Sequence, residues 1–231
     1  NIIDKLIHKF PNDYENINVA GPGFINVKLN QNIILNLIKE IKNDDKNFGK
    51  NNHGKNKSVI VEFVSANPTG PLTVAHGRGA IIGDTICRIL EWNGYNVDRE
   101  YYFNNAGRQM RILGESLRAR YLNNCGINTK FPEDGYQGDY INDIALSFQN
   151  DFNNKYVNEE NVDIFKNYAE NKIFDDIKET LNILKIKFDN YFNEDDLYKN
   201  KEIEKMVSDL DEKGLVYKKD NATWFAGTKV N

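Results

Sequence analysis

Cysteine is scarce in this chain: Cys87 and Cys125 stand far apart, without CxxC spacing and without clustered histidines beside them. That argues against a disulfide framework or a zinc site and for reduced thiols, as expected in a cytoplasmic protein. Long apolar runs are also missing. The longest, such as residues 58–64, fall well below the roughly 18 uninterrupted apolar residues that a membrane span needs. No basic-then-apolar leader opens the chain, so we expect neither export nor a membrane partner. Nor is there an excess of positive charge. The formal net charge is -4 at pH 7, so no global field announces a nucleic-acid partner, although local patches can still meet phosphate. Of the three histidines, His8 and His53 lack partners at ligand spacing, and no metal site is expected.

What is present suits a folded protein. The 231 residues are 40% hydrophobic and 12% aromatic, enough for one large domain or two small ones with real cores. A short helix with Ile2, Ile3, Leu6, Ile7 and Phe10 on one side opens the chain. A strand near residues 17–19, a turn at Gly21, Pro22 and Gly23, a strand over 24–29 and a helix over 31–41 follow. Residues 43–57 are almost wholly Asn, Lys, Asp and Gly, and read as a linker.

Residues 58–64 form an apolar, β-branched run and predict a buried strand. Residues 75–92 place Ile82, Ile86, Ile89 and Leu90 at helical spacing, with Gly94 as the C-terminal cap. A strand over 97–103 completes a β-loop-α-β unit, the building block of a parallel sheet. Beyond Asn105 the periodicity turns helical, through Ile112, Leu113, Leu117 and Tyr121, then Ile141 to Phe152, then Phe165 to Leu184. A last helix carries Ile203, Met206, Val207 and Leu210, stops at Gly214 and leads to a hairpin over 215–217 and 223–225. This order predicts a helical insertion into a sheet whose remaining strands lie beyond Asn231. The start at Asn1 and the stop just after a strand lead us to expect an incomplete chain.

The loop over residues 65–74 should sit at the carboxyl end of a parallel strand, where open α/β sheets bind ligands. The following helix aims its N-terminal N–H groups into the same space, which suits phosphate. Pro68, Gly70 and Pro71 shape a backbone that passes close to a ligand, and His76 can donate to an anion. Glu62 offers an acceptor for an ammonium group, and Asn67 an amide that donates or accepts. Taken singly, His76 is more often a structural helix-start residue and Glu62 a solvated strand end. Tyr101, Tyr102 and Phe103 could stack on a base but are more often core. The glycines at 77, 79 and 83 miss the dinucleotide fingerprint in spacing and in position.

The run from Val61 to Ala80, containing Ala66-Asn67-Pro68-Thr69-Gly70-Pro71-Leu72-Thr73-Val74-Ala75-His76, resembles the "HIGH" region of the bacterial-type arginyl-tRNA synthetases. The segment from Tyr101 to Gln109 resembles the family's segment after the next strand, and residues 20–26 the end of its N-terminal tRNA-binding domain. Residues 136–140, Phe188-Asp189 and residues 212–217 are similar to its inserted region. The resemblance implies an α/β fold: the first half of a Rossmann-like class I catalytic domain with a mostly helical insertion, preceded by the end of a small α+β domain. In residues, it implies 1–45 for that N-terminal domain, 46–57 for a linker, 58–120 for the catalytic half and 121–231 for the insertion.

By motif position, Glu62, Ser65 and Asn67 would hold arginine, with Glu62 and Asn67 at its α-amino group. Pro71, Thr73, Ala75, His76 and Gly77 would hold ATP, Thr73 and His76 at its phosphates. The implied activity is arginine–tRNA ligation with ATP and Mg²⁺, L-arginine and tRNA-Arg as partners, by a monomer. The family's His-x-Gly-His reads Thr73-Val74-Ala75-His76 here, so a hydroxyl replaces an imidazole and a methyl can crowd the nucleotide. Asn105 replaces the family's Asp. The Lys-Met-Ser-Lys-type loop and the segment that reads the guanidinium are not found before Asn231, so the chain alone is expected to be inactive. Two other readings stay open: a non-catalytic, synthetase-derived RNA-binding or regulatory protein, and a different nucleotidyl transferase of the same fold.

Overall fold

The structure, a computed structural model, describes residues 2–9 and 12–230. Phe10 and the side chains of Leu6 and Ile7, assigned above to the apolar side of the first helix, lie outside the described residues. After α1 (Ile2–Lys9), strands β1 (Tyr14–Ala20) and β2 (Phe24–Leu29) form an antiparallel hairpin. Gly21 and Gly23 turn it at positive φ. In α2 (Gln31–Asp44) the Asn30 side chain caps the first turn by accepting from the N–H of Asn32 at 3.0 Å.

Residues 51–57 carry few apolar side chains because their main chain does the packing. Asn51, Gly54 and Asn56 donate their N–H groups to the carbonyls of Trp92, Asn93 and Gly94 at 3.1, 2.8 and 2.9 Å. Gly54 is buried, and a Cβ there would lie 2.7 Å from the Gly94 carbonyl oxygen.

Strand β3 (Ser58–Glu62), helix α3 (Val74–Trp92) and strand β4 (Asn96–Phe103) form the expected parallel unit, in register from Ser58↔Asn96 to Glu62↔Glu100. Gly94, at φ 80°, ends α3: its N–H bonds to Glu91 and the N–H of Tyr95 to Leu90, the paired bonds of a left-handed helix stop. The buried face of α3 corrects the sequence reading. Ala80, Gly83, Asp84 and Cys87 face the sheet, whereas Ile82, Ile86 and Ile89 are exposed. Small side chains let the helix approach closely, and Arg99 on β4 locks it there, donating to both Glu91 oxygens at 2.6 and 3.1 Å and to Asp84 at 3.4 Å.

Helices α4 (Arg108–Asn124), α5 (Asp139–Phe152) and α6 (Val162–Ile183) then pack around Leu117, Tyr121, Ile141, Phe148, Phe165 and Ile177, all fully buried. The chain returns to the sheet in β5 (Asn190–Asn193), which pairs parallel with β4 and gives the order β3-β4-β5. A further strand of the sheet therefore lies within the chain, not beyond Asn231 as expected from the sequence. It has only four residues, too few for an alternation to stand out. Helices α7 (Glu194–Lys199) and α8 (Glu202–Glu212) lead to a hairpin of β6 (Val216–Lys219) and β7 (Ala222–Phe225), turned by Asp220 and Asn221 at positive φ. Among the described residues, no helix is long and apolar enough to cross a membrane.

Candidate functional site

Glu62 ends β3, and the backbone turns at once. Val64 and Ser65 hold φ values of 64° and 41°, a conformation that costs a residue such as valine on the order of 1–3 kcal/mol. Several bonds enforce it. The Ser65 N–H closes back on the Phe63 carbonyl at 2.9 Å. The Ser65 hydroxyl donates to Glu62 Oε1 at 2.6 Å and accepts from the Tyr102 N–H at 3.1 Å. Buried Ala66 offers its carbonyl to the buried Tyr101 hydroxyl at 2.9 Å.

From α5, the Tyr140 hydroxyl donates to the Thr69 carbonyl at 2.5 Å. Its ring lies against Gly70, where a Cβ would come within 3.3 Å. Burial pushes the Tyr140 phenol up to about 12, so it stays a donor at physiological pH.

At the start of α3 the Thr73 N–H donates to Nδ1 of His76 at 3.0 Å, and Thr73 Oγ1 accepts from the His76 N–H at 3.5 Å. This is a capping box with histidine in the place usually held by Glu or Gln. Because Nδ1 accepts, the neutral ring carries its proton on Nε2. Thr73, Ala75 and Val74 are exposed, Val74 almost fully. A Cβ at Gly77 would meet nothing within 4 Å. Pro68 is buried and Leu72 half-buried beneath the loop.

The sequence reading gathers Glu62, Ser65, Asn67, Thr73 and His76; the structure arranges them as two neighbouring groups. Asn67, Thr69, Gly70, Pro71, Thr73 and His76 line an open cavity of about 280 Å³ at the helix N-terminus. Glu62 and Ser65 do not line it; they bond to each other beside Tyr102. Asn67 bridges toward a second cavity, its amide donating to Oε1 of Gln109 at 2.9 Å. That cavity, of about 600 Å³, lies past the carboxyl ends of β4 and β5 and includes Asn104, Gly107, Gln109, Glu194 and Tyr198.

Tyr102 stands beside Glu62 and Ser65. Its ring stacks on Phe192 with centroids 5.4 Å apart. Burial raises its phenol, and the Glu194 carboxylate adds to the effect, with Glu62 contributing further. Two carboxylates, at the ends of β3 and β5, thus flank one tyrosine on β4. Sequence reasoning gives no role to Gln109, Glu194, Tyr198 or Tyr140. The available signal for Glu194 is an acidic residue directly after a strand's carboxyl end, legible only once β5 is recognised.

Comparison with known proteins identifies the family and the fold. Residues 37–227 match the family model described as tRNA synthetases class I (R), catalytic domain. The chain is 51% identical over 214 residues to the arginine–tRNA ligase of Desulfotalea psychrophila, covering 93% of this chain and 39% of that protein. It is 47% identical over 217 residues to the arginine–tRNA ligase of Chlorobium phaeobacteroides, again covering 39% of the relative. A solved Campylobacter jejuni structure assigned to the arginyl-tRNA synthetases superposes with a TM-score of 0.75 at 32% identity, over 87% of this chain and 44% of that one. The arginyl-tRNA synthetase of Thermus thermophilus, at 20% identity and a TM-score of 0.60, shares the fold. The chain spans about two fifths of the length of the curated relatives, 39% in both cases above.

Proposed function

The chain belongs to the arginine-type class I tRNA synthetases, with the fold of their catalytic domain, and from that membership we propose that it forms the front half of an arginine–tRNA ligase active site. The whole protein would join arginine to ATP as arginyl-adenylate and pass the arginine to the 3′ end of tRNA-Arg. It would act as a monomer in the cytoplasm. Residues 1–45 would belong to a tRNA-binding N-terminal domain joined by 46–57 to the catalytic half over 58–120. Residues 121–231 would supply the inserted region, which returns β5 to the sheet.

The observations that carry this reading are the His76 ring held at the α3 N-terminus by the Thr73 N–H, which leaves Nε2 as its donor, and a tyrosine, Tyr102, that both Glu62 and Glu194 face. In the proposed reaction an arginine carboxylate oxygen bonds to the α-phosphorus while the bond to pyrophosphate breaks. His76 Nε2–H and the first N–H groups of α3 donate to oxygens whose negative charge grows in that step. Thr73 holds the ring, and Pro71, Ala75 and Gly77 border the nucleotide. Mg²⁺ bound to the triphosphate would neutralise the departing pyrophosphate.

On the amino-acid side, Glu62 would pair with the α-ammonium, with Ser65 orienting that carboxylate and Asn67 adding an amide. Glu194 would face the other end of the substrate. Two carboxylates that both face Tyr102 suit a molecule with a cation at each end, such as arginine. Arginine-dependent ATP–pyrophosphate exchange by the full-length protein, with cognate tRNA present, tests the reading. Exchange no greater than without arginine would overturn it.

A further inference from the structure

Asn105 uses both ends of its amide to join three elements. Nδ2 donates to Oε1 of Glu170 on α6 at 2.8 Å, and Oδ1 accepts from the Asp195 N–H at the start of α7 at 3.3 Å. The loop that carries Asn105 runs straight into α4, whose first turn carries Gln109, which holds Asn67. Helix α7 carries Glu194 and Tyr198, on the far wall of the larger cavity. An ionised Glu170 accepts but cannot donate, so its partner must be a donor. Residue 105 must also accept from a main-chain N–H, and an asparagine amide offers both at the required reach.

We propose that Asn105 and Glu170 are a matched positioning pair for the amino-acid cavity: the carboxylate on α6 requires an amide at 105, and the joint sets Gln109 and Asn67 on one side against Glu194 and Tyr198 on the other. The catalytic consequence rests on the function proposed above; the pairing itself rests on geometry alone.

The charges around the joint leave little room for a second anion. Burial raises the Glu170 carboxyl, while the Asn105 hydrogen bond and then Lys166 oppose that. The neighbouring cations already face carboxylates: Lys166 lies 3.5 Å from Asp163, Lys199 2.8 Å from Asp195 and Arg111 3.6 Å from Glu115. Asp195 itself adds negative charge toward Glu170. An aspartate at 105 would set two carboxylates in hydrogen-bond contact, which cannot both ionise without strong repulsion. One of them would have to hold a proton.

The test compares Asn105→Asp, Glu170→Gln and the double variant of the full-length protein, by exchange kinetics and by unfolding temperature across pH 6 to 8. At the alkaline end Asn105→Asp should raise the arginine KM about tenfold or more, with the ATP KM changed by less than about threefold. Its unfolding temperature should also fall. Both defects should shrink toward pH 6, where a proton held between the carboxylates restores a donor. Glu170→Gln alone should lose less than Asn105→Asp, because its amide oxygen still accepts. The double variant should recover both readouts, since the amide introduced on α6 then donates to the carboxylate introduced on the loop. An Asn105→Asp protein equal to wild type at pH 8, or a double variant no better than that single one, overturns the proposal. Absence of arginine-dependent exchange in the wild type would sink the catalytic reading instead, and the unfolding temperatures would still decide the pairing.

Discussion

The main-chain N–H of Thr73 donates to Nδ1 of His76 at 3.0 Å, so the residue that starts α3 also decides which nitrogen of the histidine carries its proton. Thr73 therefore acts twice on the same residue. Its side chain accepts from the His76 N–H, its main chain orients the ring, and Nε2 is left as the donor.

His76→Ala in the full-length protein should lower the rate of arginyl-adenylate formation by about 10² to 10³, the usual loss for one preorganised donor to a growing oxyanion. It should also remove half of the capping box. His76→Gln keeps an acceptor for the Thr73 N–H, so its unfolding temperature should stay near wild type while its exchange rate falls. An exchange rate in His76→Ala near that of wild type would remove His76 from the chemistry.

Glu62→Gln and Glu194→Gln should each raise the arginine KM more than they change the ATP KM, on the order of tenfold or more, because each removes a charge facing a cationic group. Glu62→Gln also loses its ionic acceptor for the Ser65 hydroxyl, which donates at 2.6 Å. Saturation curves for arginine unchanged in both variants would contradict the assignment of the two carboxylates.

Gly83 and Gly79 lie one turn apart on α3 and should respond oppositely to alanine. A Cβ at Gly83 would fall 2.2 Å from the Phe63 ring, whereas at Gly79 it would meet nothing within 4 Å. Gly83→Ala should destabilise by about 1–3 kcal/mol through overpacking. Gly79→Ala should stabilise by up to about 1 kcal/mol through helix propensity. Denaturant titration of both variants checks the contrast; similar midpoints would mean that α3 does not approach the sheet so closely.

Tyr140 supplies a pH test of the loop. Its folded phenol sits at about 12 against an ordinary value of 10.0. A raised value means that the neutral form is favoured by folding. Its stabilising contribution is therefore complete below about pH 10 and is lost as the pH rises toward 12. Phenolate absorbance in wild type and Tyr140→Phe should differ by one tyrosine that ionises only near that upper limit. A difference spectrum that titrates near pH 10 would contradict the burial of this phenol against the loop.

Much of this arrangement was legible before any coordinates. Residues 58–64 hold an apolar, β-branched run, 75–92 are helical by spacing and end at Gly94, and the Pro- and Gly-rich segment between them marked the loop at the helix N-terminus. Those features arise from local preferences that a short stretch of chain expresses by itself. The apolar face of α3 was misjudged for a related reason. Ile82, Ile86 and Ile89 form the more hydrophobic stripe, but the sheet selects Ala80, Gly83 and Cys87, because closeness of approach and not hydrophobicity alone decides what fits against Phe63.

Local preferences were enough to mark the β3-α3-β4 unit, the loop that carries Asn67 and His76, and the helices whose periodicity spans several turns. The pairing of Asn190–Asn193 with β4, which brings Glu194 alongside Tyr102, and the meeting of Asn105 with Glu170 across 65 residues of chain come from the folded arrangement alone. A four-residue strand has too little side-chain pattern to declare itself and takes its identity from the main-chain donors and acceptors of its partner. The contacts of Asn105 depend likewise on where folding brings α6 and α7, a consequence of core packing by Leu117, Phe148 and Phe165 that no local stretch of sequence encodes.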